Sequence, residues 1–228
     1  MSKRLVVYCE GQTEQMFVER LLRNHLISHG IQVERAILAA TALDPNGQRG
    51  GFINWPAIEA DLRTEFSSDT DQNLRFTTLL DVYRMPQEVP GYPLGASGTF
   101  SSADIDNVER EIERTFGELR FKAYLQRYEF ETLVLACPKA LKSVFHENAV
   151  AIDQLQNNLA GFTNAEEINH GETTHPAARL ETAIPGYGDL KASRAFWVLA
   201  EAGFDAVRAQ CPRFNAWLSE WENWGDKG

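Results

Sequence analysis

Acidic side chains follow strand-like apolar runs of the sequence, and each acid comes where its run ends. Glu10 follows the first run, Asp81 follows a later one, and Glu129 and Glu131 come after a fourth. The carboxyl ends of parallel strands meet at one edge of a sheet, where ligands bind, so these acids can converge. Their oxygens are the ligands that Mg²⁺ and Mn²⁺ prefer. The pattern predicts a divalent-metal site, and a scatter of surface acids among the 32 Asp and Glu residues is the alternative.

Two glutamates flank a glycine turn in the segment EGQTE, residues 10–14. The turn needs Gly11, but it does not need Glu10 or Glu14, whose like charges repel unless something positive lies near them. Glu14 is one helical turn beyond Glu10 on the same side and can reach the same site. A metal ion near both carboxylates would account for the pair.

Mg²⁺ at such a site commonly takes water and substrate phosphate as further ligands, and a bound phosphate needs cations that balance its charge. Arg84 lies beside the acid at the end of the third predicted strand, and Arg179 and Lys191 lie in the C-terminal part of the chain. These three residues are the candidates for substrate binding. A solvated surface charge is the alternative for each of them.

The elements that must position these residues alternate in the manner of a parallel α/β sheet over the first part of the chain. Helix-like patterns dominate after about residue 138, so we predict a core over residues 1–137 and a helical extension over residues 138–228. The predicted core strands are Leu5–Cys9, Ile31–Leu38, Arg75–Leu80 and Phe121–Leu125, with helices that begin near Thr13, Pro56 and Ser102. The predicted extension helices cover 140–145, 152–159, 196–202, 206–210 and 214–224.

Two glycine-rich loops separate these elements. Residues 85–100 form a long Pro/Gly segment, and loops of this length in compact domains are usually functional or mobile. Residues 46–51 lack the GK[ST] ending of a phosphate-binding Walker A loop, so ATP binding by that route is not expected.

Composition limits the classes of function. The net charge of −10 argues against broad nucleic-acid binding through basic residues, although metals or a basic partner can still support a local site. No apolar run approaches the roughly 20 residues that span a bilayer, and no signal peptide is recognisable, so we expect no membrane association. Three widely spaced cysteines favour a reducing, cytoplasmic compartment.

Weaker candidates have ordinary structural explanations. Cys9 adjoins an acid, which raises the pKa of a thiol, so a buried strand-end cysteine is a better explanation than a nucleophile. His170, Glu172 and His175 suggest zinc only weakly, because their spacing lacks a cysteine pair; a turn over Gly171 and Thr173–Pro176 is the alternative.

A stripe of Trp217, Trp221 and Trp224 at helical spacing points inward or toward a contact between copies of the chain. Homo-oligomer formation is therefore one expectation. Base stacking on these rings is disfavoured by the acidic residues around them.

Three motifs in combination resemble a Toprim-like domain, the fold of topoisomerase-primase catalytic domains and of OLD-family nucleases. They are EGQTE (Glu10–Glu14), TTLLDVYRMP (Thr77–Pro86) and RYEFETLVL (Arg127–Leu135). More closely, the chain is similar to a bacterial family of unknown function with a Toprim-like core, which the segments Ile168–Tyr187 and Cys211–Leu218 also match. The resemblance implies a Rossmann-like, mostly parallel four-stranded sheet flanked by helices, with a helical C-terminal extension.

The same resemblance implies roles for individual acids. In the Toprim fold, a glutamate after strand one and a DxD pair after strand three hold Mg²⁺ for phosphodiester chemistry. Glu10 matches the glutamate and Asp81 the first Asp, but Tyr83 stands at the second Asp position. Glu131, and with it Glu129, resemble the acid that follows strand four in OLD-type nucleases and can compensate for the lost ligand.

The expected activity is that of a Mg²⁺- or Mn²⁺-dependent Toprim nuclease acting on DNA or RNA, with Glu10, Asp81, Glu131 and Arg84 as catalytic residues. The resemblance implies a setting in bacterial anti-phage defence beside an ATPase partner of the AAA or ABC type. A non-catalytic interaction subunit with a decayed metal site is the alternative, favoured by Tyr83 and by the net charge. A nucleotidyl transferase or primase-like activity on the same acids is a third reading.

Overall fold

The computed structural model describes residues 2–39, 54–94, 100–168, 171 and 173–226. The glycine-rich loop 46–51 and residues 95–99 of the loop at 85–100 lie outside this part of the chain. Contacts divide the chain into two compact units, Met1–Arg127 with Trp221–Gly228, and Tyr128–Glu220. The boundary that we predict at residue 138 lies later in the chain than this division and stays a prediction.

A parallel sheet forms the centre of the first unit. The strand order is β2-β1-β3-β4. The short strand β5 also pairs with β3, at a point further along β3 than the pairing with β4. Every pairing is parallel, and the middle strands are almost continuously buried, as strands covered on both faces are. This confirms the predicted α/β class. The strands are β1 (Lys3–Cys9), β2 (Ile31–Leu38), β3 (Leu74–Asp81), β4 (Phe121–Lys122) and β5 (Leu125–Gln126).

Amphipathic helices pack on this sheet. In α3, Ile58, Leu62 and Phe66 are buried at helical spacing, as predicted, and the ring centroid of Phe66 lies 5.0 Å from that of Phe76 on β3. The first helix, which we predict to begin near Thr13, begins at Gln12 with Gly11 as its N-cap residue. The helices of this unit are α1 (Gln12–Phe17), a π-helical turn (Val18–Leu22), α2 (Arg23–Ile27), α3 (Trp55–Ser68) and α4 (Ser102–Phe116).

The predicted fourth strand, Phe121–Leu125, is split into β4 and β5, and this part of the prediction is wrong. The hydroxyl of Thr78 accepts a hydrogen bond from the N–H of Tyr124 at 2.8 Å and donates to the carbonyl of the same residue at 2.9 Å. A side chain of β3 thus replaces the backbone pairing at this point. Glu113 and Glu109 of α4 accept from the flanking N–H groups of Ala123 and Leu125.

The second unit is helical, which confirms the helical C-terminal part. Gly203 has φ +72° and interrupts α9, in agreement with the two separate helices predicted on either side of it. The turn predicted at Gly171 is present, because the N–H groups of Thr174 and His175 donate to its carbonyl, but the helix α8 that follows was missed. The helices are α5 (Glu131–Leu135), α6 (Pro138–Val144), α7 (Ala149–Leu159), α8 (Pro176–Ala183), α9 (Lys191–Gln210) and α10 (Pro212–Asp226).

The end of α10, from Trp221 onward, belongs to the first unit. Trp217 and Trp221 of the tryptophan stripe are buried in the packed interior, and Trp224 is half-buried. None of the helices in the described ranges is long and apolar enough to cross a membrane.

Candidate metal centre

Glu10 and Asp81 leave the sheet at the same edge of the first unit. Cys9 of β1 is paired with Leu79 of β3, and the N–H of Glu10 donates to the carbonyl of Leu79 at 3.1 Å. The Oε2 atom of Glu10 accepts a hydrogen bond of 2.7 Å from the backbone N–H of Asp81. Asp81 is 7% exposed and Glu10 is half-buried. The Glu10 carboxylate therefore contacts the backbone of Asp81 where the adjacent parallel strands end. The binding of one metal ion by both acids stays a prediction.

Glu14 has a structural role in the turn after β1. Its Oε2 atom accepts a hydrogen bond of 2.9 Å from the N–H of Gly11, which is the N-cap residue of α1. The carboxylate thereby satisfies a backbone donor that the helix cannot satisfy. Glu10 and Glu14 each accept from a backbone N–H, so their presence around Gly11 has an explanation that does not require a metal ion.

A strained turn follows β3 directly. The N–H of Met85 donates to the carbonyl of Val82 at 3.1 Å, and Arg84 has φ +60° within this turn. An L-residue in this left-handed conformation costs roughly 1–2 kcal/mol, and such strain often accompanies functional sites. The exposed guanidinium carbon of Arg84 lies 5.2 Å from the centroid of the Tyr83 ring. Arg84 thus places a cation three residues after Asp81, in the turn that follows β3.

In the second unit, Glu129 anchors the start of α8. Its Oε2 atom accepts from the N–H of Ala177 at 2.9 Å and lies 2.9 Å from Nδ1 of His175. Nδ1 also lies 3.4 Å from the N–H of Ala178, but one nitrogen cannot donate to Glu129 and accept from Ala178 at once. The shorter contact and the acceptor-only carboxylate assign the proton to Nδ1 of His175.

Glu131 is fully buried in the same unit, and Lys191 is its counterion. The Nζ atom of Lys191 lies 2.9 Å from Oε2 of Glu131. Burial raises the pKa of Glu131, the Lys191 charge lowers it, and the Glu129 charge raises it further. Burial and the Glu131 charge also raise the pKa of Tyr187. Within the described ranges, neither Oε1 of Glu131 nor the Tyr187 hydroxyl has a hydrogen-bond partner.

The side chain of Arg179 contacts the backbone of the turn that precedes α8. Its Nε atom donates to the carbonyl of Thr174 at 2.5 Å, and burial lowers the pKa of its guanidinium. Arg179 and Lys191 therefore both have intramolecular contacts inside the second unit. Their predicted roles in substrate binding stay predictions.

The cysteines are not candidates for nucleophilic chemistry. Cys9, Cys137 and Cys211 are all buried. Burial raises the pKa of Cys137 to about 12 and raises the pKa of Cys9 well above its ordinary value, with a smaller contribution from the Glu14 charge. This confirms the interpretation of Cys9 as a core residue. His170 and Glu172, the other members of the weak zinc pattern, lie outside the described residues.

Comparisons with known proteins place the chain in a family. A family model described as a domain of unknown function (DUF4276) matches residues 9–222. The chain belongs to this family. The match includes every residue of the predicted site, from Glu10 to Lys191.

The DUF4276 chain is also similar to two solved structures. The C-terminal region of the Burkholderia pseudomallei OLD protein is similar to it with 14% identity and a TM-score of 0.47, covering 97% of this chain and 99% of that one. The C-terminal region of the Xanthomonas campestris pv. campestris OLD protein is similar with 16% identity and a TM-score of 0.43, covering 99% and 96%. No curated protein sequence matches the chain.

The acids of the DUF4276 chain fit a metal site with two carboxylate ligands better than a site with three. Across the described ranges, Glu10, Glu14 and Asp81 do not offer three ligand atoms that all lie within 4.8 Å of one another. Mg²⁺, however, commonly takes only one or two carboxylates, with water and substrate phosphate as its remaining ligands. Glu10 and Asp81 therefore meet the minimum requirement. The participation of Glu14, Glu129 and Glu131 stays a prediction.

The sequence analysis missed a group of three side chains whose ligand atoms all lie close enough together to bind one metal ion. His25, His29 and Glu222 bring their ligand atoms within 4.8 Å of one another. The spacing of two histidines four residues apart was the available signal. The contribution of Glu222, far along the chain, had no local signal.

Proposed function

We propose that the protein is a Mg²⁺- or Mn²⁺-dependent phosphodiester hydrolase of Toprim type that acts on DNA or RNA. The observation that carries this proposal is the 2.7 Å hydrogen bond from the backbone N–H of Asp81 to the carboxylate of Glu10, which joins these two acidic residues at the carboxyl ends of adjacent parallel strands. The order of the motifs around Glu10 and Asp81 resembles that of Toprim domains. Strand-end acids on such a sheet are the usual place for ligand chemistry.

Glu10 and Asp81 are the residues that would hold the ion, through hard carboxylate oxygens. When bound, a divalent ion supplies charge stabilisation of the phosphoryl group and lowers the pKa of a water nucleophile. The chain itself contributes the placement of the two acids and the cation of Arg84. The turn that holds Arg84 follows Asp81 directly, so its guanidinium can bind a phosphate oxygen near the carboxylates.

The biological setting is proposed from the sequence resemblance. The chain would act in the cytoplasm as an effector or accessory of bacterial anti-phage defence, together with an ATPase partner of the AAA or ABC type. Such a partner would bring a chain with a net charge of −10 to nucleic acid, which it would otherwise repel.

The test is cleavage of single- and double-stranded DNA and RNA with Mn²⁺ or Mg²⁺. We expect Asp81→Asn to lower the cleavage rate by roughly 100-fold or more, because removal of a preorganised charge at a reacting centre costs that order of rate. Glu88→Gln, at an exposed acid in the loop after β3, is the matched control and should cleave like the wild type. Cleavage that is equal in the wild type and in Asp81→Asn would overturn the proposal.

A second candidate function is that of a non-catalytic interaction subunit with a decayed metal site. The observation that favours it is Tyr83, a neutral residue at the position of the second Asp of the Toprim pair. This function predicts that Glu10→Ala and Asp81→Ala leave biological activity unchanged. The nuclease function predicts that both substitutions abolish activity while the protein remains folded.

A further inference from the structure

Three side chains of the first unit converge at the point where the last turn of α10 meets the end of α2. The Nε2 atom of His25 lies 2.7 Å from Oε1 of Glu222, and Nε2 of His29 lies 4.0 Å from the same oxygen. The imidazole ring centroids are 5.2 Å apart. Two imidazoles and one carboxylate thus offer ligand atoms that all lie within 4.8 Å of one another.

We propose that His25, His29 and Glu222 form a Zn²⁺ site that is separate from the strand-end acids. Two histidines and one glutamate are an established donor set for Zn²⁺, with a water molecule in the fourth position. Imidazole donors favour Zn²⁺ and its transition-metal neighbours over Mg²⁺, whose preferred ligands are oxygens.

The distances suit a tetrahedral ion after small side-chain rotations. Bonds of 2.0–2.1 Å at tetrahedral angles place neighbouring ligand atoms about 3.3–3.5 Å apart. The observed separations of 2.7 Å and 4.0 Å lie on either side of this value. A shift of Oε1 of Glu222 by well under an ångström makes it equidistant from the Nε2 atoms of His25 and His29.

The backbone holds the three residues in place without the ion. An added Cβ at Gly225 would lie 2.2 Å from the carbonyl oxygen of His29, so only glycine permits this approach of α10 to the end of α2. Lys3 reinforces the position, because its Nζ atom donates to the carbonyls of Trp224 and Gly225 at 2.6 Å and 2.9 Å. Glu222 lies about one helical turn before Gly225 and is therefore directed at the two rings.

Partial exposure leaves room for entry and for a fourth ligand. The side chains of His25 and His29 are 23% and 27% exposed, and that of Glu222 is 12% exposed. A bound ion would fix the last turn of α10 to the end of α2 inside the first unit. We therefore expect Zn²⁺ to stabilise the folded protein, because it binds the assembled residues and not the unfolded chain.

The experiment is calorimetric titration of the chelator-treated full chain with Zn²⁺, together with thermal denaturation. We expect one ion per chain, a higher melting temperature with Zn²⁺, and a loss of affinity of at least roughly tenfold in His29→Ala and in Glu222→Gln. His29→Ala keeps the contact between His25 and Glu222, and Glu222→Gln keeps an acceptor for His25, so both variants should fold. Far-ultraviolet circular dichroism verifies this.

Two control variants separate this site from other zinc binding. His146→Ala, at an exposed histidine of the second unit, should bind Zn²⁺ like the wild type. Asp81→Asn, which is expected to lose Mn²⁺, should also retain the Zn²⁺ site. An absence of Zn²⁺ uptake by the wild type, or equal uptake in the wild type, His29→Ala and Glu222→Gln, would overturn the proposal and leave an ordinary hydrogen bond between His25 and Glu222.

Discussion

The carboxylate of Glu10 accepts a hydrogen bond of 2.7 Å from the backbone N–H of Asp81, so the Glu10 side chain joins the ends of β1 and β3. Glu10→Gln retains an acceptor oxygen and removes the charge. We expect a melting temperature close to that of the wild type and an Mn²⁺ affinity lower by at least roughly tenfold, since a neutral amide is a weaker ligand for a hard cation. Calorimetric titration with Mn²⁺ measures the difference.

Glu10→Ala is the complementary variant. It also removes the acceptor for the Asp81 N–H, and we expect the free energy of unfolding to fall by about 1 kcal/mol in addition to the loss of Mn²⁺ binding. Undiminished Mn²⁺ affinity in both variants would show that the ion does not bind Glu10.

Glu14 is predicted to act as a helix cap. Glu14→Ala removes the acceptor for the Gly11 N–H and should lower the free energy of unfolding by about 1 kcal/mol, as the loss of other N-terminal caps does. Glu14→Gln keeps the acceptor and should be nearly as stable as the wild type. Urea denaturation measures both. If Glu14→Gln loses Mn²⁺ binding while its stability is unchanged, Glu14 is a metal ligand as well as a cap.

Arg84 is predicted to lower the stability of the folded protein and to support nucleic-acid cleavage. Its φ of +60° costs an L-residue free energy that glycine does not lose. Arg84→Gly should therefore raise the free energy of unfolding by up to about 1 kcal/mol, while nucleic-acid cleavage falls because the cation is gone. Arg84→Ala is the control, because it loses the cation and keeps the strain. A Gly variant with full cleavage activity would remove Arg84 from the site.

The sheet of the first unit could be predicted well because its information is local. Apolar runs and the acids that end them gave β2 with its observed bounds and put Glu10 and Asp81 at one edge. The features that could not be predicted depend on contacts between residues that are distant along the chain. The division of the fourth strand results from Thr78 contacting Tyr124, and no local pattern distinguishes this threonine from its neighbour Thr77.

The same limit applies to charged groups. The carboxylate of Glu14, which is predicted to be a metal ligand, accepts a hydrogen bond from the N–H of Gly11, the N-cap residue three positions before it. This capping contact is local, but glycine at the N-cap position offers no side chain that signals it in the sequence. The metal-binding role of Glu14 stays a prediction. The pairing of Lys191 with Glu131, and of Glu222 with His25, joins residues on separate helices. Periodicity predicts that such helices exist, but it does not predict which side chains meet.

Thr78 is predicted to be essential for the shape of the sheet edge. Thr78→Val is nearly isosteric but leaves the N–H and carbonyl of Tyr124 buried without the hydroxyl, so we expect a loss of roughly 2–3 kcal/mol in the free energy of unfolding. Thr78→Ser keeps the hydroxyl and loses one methyl group, with an expected cost of about 1 kcal/mol. Chemical denaturation of the two variants tests this order. A Val variant that is as stable as the Ser variant would contradict the assigned role.

The ion pair between the buried Glu131 and the partly exposed Lys191 makes stability depend on pH. Burial raises the pKa of Glu131 despite the Lys191 charge, so the folded protein takes up a proton more readily than the unfolded chain. Glu131 therefore contributes stability at acid pH that is lost as the pH rises from the ordinary pKa of a glutamate, 4.5, through the folded-state pKa. Glu131→Gln stays neutral. Its stability relative to the wild type should increase over this window, as measured by urea denaturation across pH.

Removal of the counterion should steepen this dependence. Lys191→Met leaves the Glu131 carboxylate buried without its partner, and we expect a loss of roughly 3 kcal/mol in the free energy of unfolding near neutral to alkaline pH. The loss should shrink toward acid pH, because protonation of Glu131 then removes the buried charge. The double variant Lys191→Met/Glu131→Gln should recover most of the stability at every pH. A loss that is independent of pH, or a double variant no more stable than Lys191→Met, would show that Lys191 acts through packing and not as the counterion of Glu131.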